Sequence, residues 1–135
     1  MIASTDDTSK DEPKKKILLI EDEQALSNIL KERLLDSGYD VKIAIQGEEG
    51  WQKTKKEKPD LVLLDILLPR LDGFVYLKRL RTHKSFNQIP VIILSNLGED
   101  IDLDKGKELG AVDYLVKSNH TLDAILDRIN KVLTA

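Results

Sequence analysis

The chain has 135 residues, a net charge of −3, 41% hydrophobic and 33% charged residues, and no cysteine. That length suits one domain with its own core, and the balance is that of a globular chain rather than a disordered one. No apolar run approaches the ~20 residues of a membrane-spanning helix, mild acidity argues against nucleic acid as the main partner, and the missing cysteine excludes disulfides, thiol catalysis and Cys-ligated zinc.

Residues 1–14, opening "MIASTDDTSKDEP", are polar, lack the apolar core of a signal peptide, and read as a flexible tail before a domain over 15–135. Cytoplasmic location is the default expectation. "KILLIED" is a short apolar run ending in acids and predicts a first strand. "EQALSNILKERLLDSG" predicts a helix with Leu26, Ile29, Leu30 and Leu34 on its inner face and Gly38 as its stop. "YDVKIAI" alternates as a second strand, and "GEEGWQKTKKEKP" is a weaker helix anchored by Trp51 and ended by Pro59. "DLVLLD" is apolar throughout, which predicts a strand buried on both faces. After "ILLPRLDG", a helix from Phe74 to His83 sets Phe74, Leu77 and Leu80 on one side. "IPVIILS" is a fourth strand. The polar helix over 99–109, with Gly98, Gly106 and Gly110 along or beside it, suggests low local stability. "VDYLVK" is a fifth strand, and "TLDAILDRINKVL" closes the chain with Leu122, Ile125, Leu126, Ile129 and Leu133 inward. His83 and His120 read as solvated surface histidines.

Strands alternating with helices imply parallel pairing, right-handed crossovers and helices on both faces. Five such units fit an α/β fold class, a flavodoxin-like doubly wound (βα)5 fold, and from that fold class a five-stranded parallel sheet of order 2-1-3-4-5 is inferred. Ligands of such sheets bind beyond the carboxyl ends of strands 1 and 3, where the winding reverses. Glu21 and Asp22 end strand 1, Asp65 ends strand 3, Ser95 strand 4 and Lys117 strand 5. Singly, each has an ordinary reading as a helix cap, a first-turn acid or a solvated lysine. Jointly they converge on one rim. Carboxylates crowded together take up a proton or a cation, and Mg²⁺ is the hard, oxygen-seeking candidate. With Lys117 it can neutralise a phosphoryl group in transfer, while Asp65 between them attacks phosphorus and forms an acyl phosphate.

On "ILLIEDE", "DLVLLDILLPRLDG", "IPVIILS" and "GAVDYLVK", the chain resembles a response-regulator receiver domain of two-component signalling, from Lys15 to about Leu133. The resemblance implies Asp65 as phosphoacceptor, Glu21 and Asp22 as the acidic pair for Mg²⁺, and the Leu67 carbonyl as a further ligand. It implies Ser95 as the switch hydroxyl, Lys117 as the phosphate-binding lysine, and Tyr114 as the aromatic that turns with Ser95. The implied partner is a sensor histidine kinase or phosphotransfer protein. The output is a changed face of helix 4, strand 5 and helix 5 that controls a partner or homodimerisation. No membrane or nucleic acid is bound, and catalysis is limited to the domain's own phosphorylation and slow autodephosphorylation. Ser118 stands where the family usually has proline. A cis bond before a non-proline residue costs ~2.5–4 kcal/mol, so a trans bond and a less firmly placed Lys117 are expected. Leu67 and Leu97, two residues beyond Asp65 and Ser95, are expected to shield the acyl phosphate from water. Competing readings lack their residues: an aspartate phosphotransferase of the haloacid dehalogenase type needs an acid at Leu67, and a flavin carrier needs a hydroxyl- and glycine-rich loop where "EDEQA" stands.

Overall fold

The computed structural model describes residues 13–68, 70–96 and 100–134. Most of the expected tail, together with Leu97 and Gly98, lies outside them. Five strands, β1 (Lys16–Ile20), β2 (Asp40–Ala44), β3 (Leu61–Leu64), β4 (Val91–Ser95) and β5 (Asp113–Val116), form one sheet in the order β2-β1-β3-β4-β5. All neighbours are parallel. Between them run α1 (Gln24–Asp36), α2 (Gly47–Glu57), α3 (Gly73–Thr82) and α4 (Asp100–Glu108). A 3-10 turn (Lys117–Asn119) leads to α5 (Leu122–Thr134).

The all-apolar strands supply two cores by simple alternation, because successive side chains of a strand point to opposite faces. Leu18, Ile20, Val62, Leu64, Val91 and Ile93 face Trp51 of α2 and Phe74, Tyr76, Leu77 and Leu80 of α3. Ile17, Leu19, Leu61, Leu63, Ile92 and Leu94 face Leu30 and Leu34 of α1 and Ile125, Leu126 and Ile129 of α5. Helices on both faces leave the sheet reachable at its strand ends, and this confines chemistry to the rim.

The inner face of α1 differs from expectation. Ser27, Leu30 and Leu34 are buried, whereas Ile29 is 50% exposed. At 100° per residue, Ile29 points roughly 130° away from the centre of that buried stripe, so its apolar side chain is left outside. Gly38 follows the helix with φ +94, and its N–H bonds to the Leu35 carbonyl, so the left-handed stop is as read. His83 is not a solvated residue: it stacks on Phe86, with centroids 4.5 Å apart, and meets the Trp51 ring edge-on. Its position at the end of α3, opposite α2, draws it into that aromatic cluster.

Two further contacts tie the helices. The fully buried Tyr76 hydroxyl lies 2.7 Å from Thr54 Oγ1, which itself donates to the Gly50 carbonyl at 2.8 Å. Arg81, at the end of α3, gathers carbonyls from both neighbouring loops: Ile89 at 2.7 Å and Gly110, beyond α4, at 2.8 Å.

Candidate functional site

The rim is built by continuation of the strand ladders. Past the end of β1 the Glu21 N–H still bonds to Ala44 of β2, and past β3 the Asp65 N–H bonds to Ile20 of β1. These last ladder bonds hold both carboxylates at the same height. The loop after Asp65 then folds back on itself, with the Gly73 N–H on the Ile66 carbonyl. A Cβ at Gly73 would lie 2.6 Å from the Asp65 carbonyl oxygen and from Ile66 Cα, so only glycine allows this return. Asp72 caps α3 by accepting from the Phe74 N–H at 2.7 Å.

Lys117 enters from β5 and meets the acids. Its Nζ lies 2.8 Å from Glu21 Oε1, 3.2 Å from Asp65 Oδ2 and 3.6 Å from Glu23 Oε1. The Lys117–Ser118 bond is trans, as no cis bond occurs among the described residues. The trans bond still leaves Lys117 in contact with the acids. The 3-10 turn and these carboxylates fix it, leaving the side chain only 12% exposed. Glu21 is itself 1% exposed and Asp65 6%. The other Glu21 oxygen accepts from the Glu23 N–H at 3.0 Å, and Asp65 Oδ1 accepts from the Leu67 N–H at 3.2 Å. A charged aspartate at the end of an apolar strand is thus tolerated by one ammonium and one backbone donor.

Burial pushes the Glu21 carboxyl up to about 7, against the hydrogen bonds from Lys117 and the Glu23 N–H. Burial also pulls the Lys117 ammonium down, but the Glu21 hydrogen bond and the charges of Asp65 and Glu21 outweigh it and leave the lysine above its usual value. Asp22 is exposed, yet one carboxylate oxygen each from Glu21, Asp22 and Asp65 lie within 4.8 Å of one another. Such a hard oxygen set fits a divalent cation.

Ser95 is fully buried at the end of β4, and hydrogen bonding from its side chain works against the upward shift of the Tyr114 phenol. Burial raises the Tyr114 phenol, and so does the charge of Asp102 on α4. Leu67 contributes backbone rather than side chain here; its side chain is 56% exposed. Glu23 was not singled out by sequence reasoning. Its only signal was a third acid in "EDE", which spacing alone does not distinguish from a solvated helix cap.

The response regulator receiver domain model matches residues 17–130. The chain belongs to that family. Among curated relatives of the receiver domain, the alkaline phosphatase synthesis transcriptional regulatory protein PhoP of Bacillus subtilis is 45% identical over 103 residues, covering 76% of this chain and 42% of the relative. The transcriptional regulatory protein AfsQ1 of Streptomyces coelicolor is 40% identical over 119 residues, covering 87% and 50%. The chain therefore spans about half the length of the curated relatives it matches. Among solved structures, the BeF3-activated N-terminal receiver domain of Klebsiella pneumoniae RstA superposes with a TM-score of 0.82 at 31% identity, covering 90% of this chain and all of that one. The general kind of function is thus a phosphorylation-dependent switch of two-component response regulators, a signalling role rather than a catalytic one. No described helix is long and apolar enough to cross a membrane.

Proposed function

We propose that Asp65 accepts a phosphoryl group from a sensor histidine kinase or phosphotransfer protein, with Mg²⁺ held by Glu21, Asp22, Asp65 and the Leu67 carbonyl. The observation that carries this reading is the meeting of Asp65 with Lys117 beside two further carboxylates on the switch-point rim. An Asp65 carboxylate oxygen forms the bond to phosphorus as the phosphorus–nitrogen bond of the donor phosphohistidine breaks. When bound, the divalent ion supplies charge neutralisation to the phosphoryl oxygens. Lys117 transfers its contact from Asp65 to a phosphoryl oxygen, and the Ser95 hydroxyl donates to another. Moving Ser95 changes its partner Tyr114, and through it the face of α4, β5 and α5 that controls a partner or a second copy. The acyl phosphate is lost slowly by the domain's own hydrolysis. The operating compartment is the cytoplasm, and residues 1–14 act as a tail to the domain over 15–135.

The test is titration of the protein with beryllofluoride in Mg²⁺, followed by chemical-shift changes, and phosphorylation by a small phosphodonor read by mass. A Mg²⁺-dependent response lost in Asp65→Asn is expected. Retention of the phosphoryl group in Asp65→Asn overturns the assignment.

A further inference from the structure

Tyr114 and Ile93 are registered partners on neighbouring strands, and both contact the same point of α4. That point is Gly106, buried within the helix. A Cβ added there would lie 2.8 Å from Ile93 Cδ1, 3.0 Å from Tyr114 Cδ2 and 3.5 Å from Tyr114 Cε2. The first two distances are shorter than ordinary van der Waals contact between carbons. A helical glycine is less stable than alanine, so a glycine inside a short polar helix calls for a packing reason. The ring of Tyr114 is that reason, since it fills the place a methyl group would take.

We propose that Gly106 is a positioning residue for Tyr114: by lacking a side chain it lets α4 close onto the ring, which stays packed between the helix and the sheet. Its functional consequence rests on the reading of Ser95 and Tyr114 as the switch pair. The two neighbours differ in what they can yield. The tip of Ile93 rotates at little cost, whereas the Tyr114 ring is rigid and would meet the added methyl group with two of its carbons. A methyl group at 106 therefore lifts α4 or turns the half-buried ring outward, and either movement resets Tyr114 for its part in the switch. Gly106 thereby sets the fraction of molecules competent for activation, and apparent affinity for an activating ligand scales with that fraction.

The experiment uses the full chain with 3-fluorotyrosine at Tyr39, Tyr76 and Tyr114, the Tyr114 resonance being assigned with Tyr114→Phe. In Gly106→Ala the Tyr114 fluorine signal is expected to move toward the solvent-exposed position, and beryllofluoride affinity to fall about 3- to 10-fold. In a Tyr114→Ala background the same glycine substitution is expected to leave that affinity unchanged and to raise resistance to urea, as alanine does in an ordinary helix. An unmoved Tyr114 signal in Gly106→Ala overturns the proposal, as does an equal affinity loss in the Tyr114→Ala background. Should Gly106→Ala not fold, recovery of folding in Gly106→Ala/Tyr114→Ala supports it and continued failure overturns it. If the unaltered chain takes no beryllofluoride, the phosphoacceptor reading fails while the fluorine signals still decide the role of Gly106.

Discussion

Replacing Thr54 by valine should cost more stability than replacing Tyr76 by phenylalanine, although both remove one hydroxyl from the same buried bond. Thr54 Oγ1 donates to the Gly50 carbonyl, so the proton between Thr54 and Tyr76 belongs to tyrosine. Thr54→Val leaves that fully buried phenol without an acceptor, at about 1–3 kcal/mol. Tyr76→Phe leaves Thr54 still donating to Gly50, and only one neutral hydrogen bond is lost, about 0.5–1.5 kcal/mol. In the double variant no buried donor is stranded, so its cost should fall below that of Thr54→Val and close to that of Tyr76→Phe. Urea unfolding measures this directly, with linear extrapolation at a constant slope. The sole tryptophan, Trp51, is 8% exposed with its ring 6.2 Å from Tyr76, and reports the transition by fluorescence. Equal single costs, or a double variant whose cost is the sum of the two, would refute the assigned proton direction.

Glu21 gives a pH signature in metal-free buffer. Its folded value of about 7 lies above the ordinary carboxyl value of 4.5, so the folded state binds the extra proton, and this contribution is full below pH 4.5 and lost as pH rises through 7. The loss is about 3 kcal/mol, and Glu21→Gln should show a correspondingly flatter stability profile between pH 5 and 8; parallel profiles would contradict it. Arg81→Ala should lower stability by roughly 1 kcal/mol, chiefly by stranding the part-buried Ile89 carbonyl, with Arg81→Lys recovering part of it in urea titrations. Leu97→Glu should speed loss of the phosphoryl group from Asp65, read by the decay of the phosphorylated mass; an unchanged rate removes the proposed shielding.

The sheet and its reactive rim were legible because both depend on short-range patterns. "DLVLLD" and "IPVIILS" announce burial on both faces, and strand ends in a parallel sheet share one rim, so Glu21, Asp65, Ser95 and Lys117 could be brought together without coordinates. Features set by relative rotation or by distant pairing were not legible. Ile29 counted as apolar and inward, but the stripe that packs is centred on Ser27, Leu30 and Leu34. His83 was read from its polar neighbours in sequence, while its neighbours in space are Trp51 and Phe86. The bond between Thr54 and Tyr76 joins two helices on one face and leaves no trace in either segment alone. A glycine in a polar helix suggests looseness, and nothing in that segment announces the close approach of Gly106 to Ile93 and Tyr114.

Arg81 gives α4 a fixed end. Its guanidinium fastens the Gly110 carbonyl, just past the helix, to the loop before β4. A rod held at one end moves as a lever, and displacement grows with distance from the fulcrum. Asp100–Glu108 is roughly 13 Å long at 1.5 Å per residue, so a tilt of about 10° shifts the far end by roughly 2 Å. That far end follows the segment leading away from Ser95, so the greatest travel falls beside the rim and the least at the anchored loop.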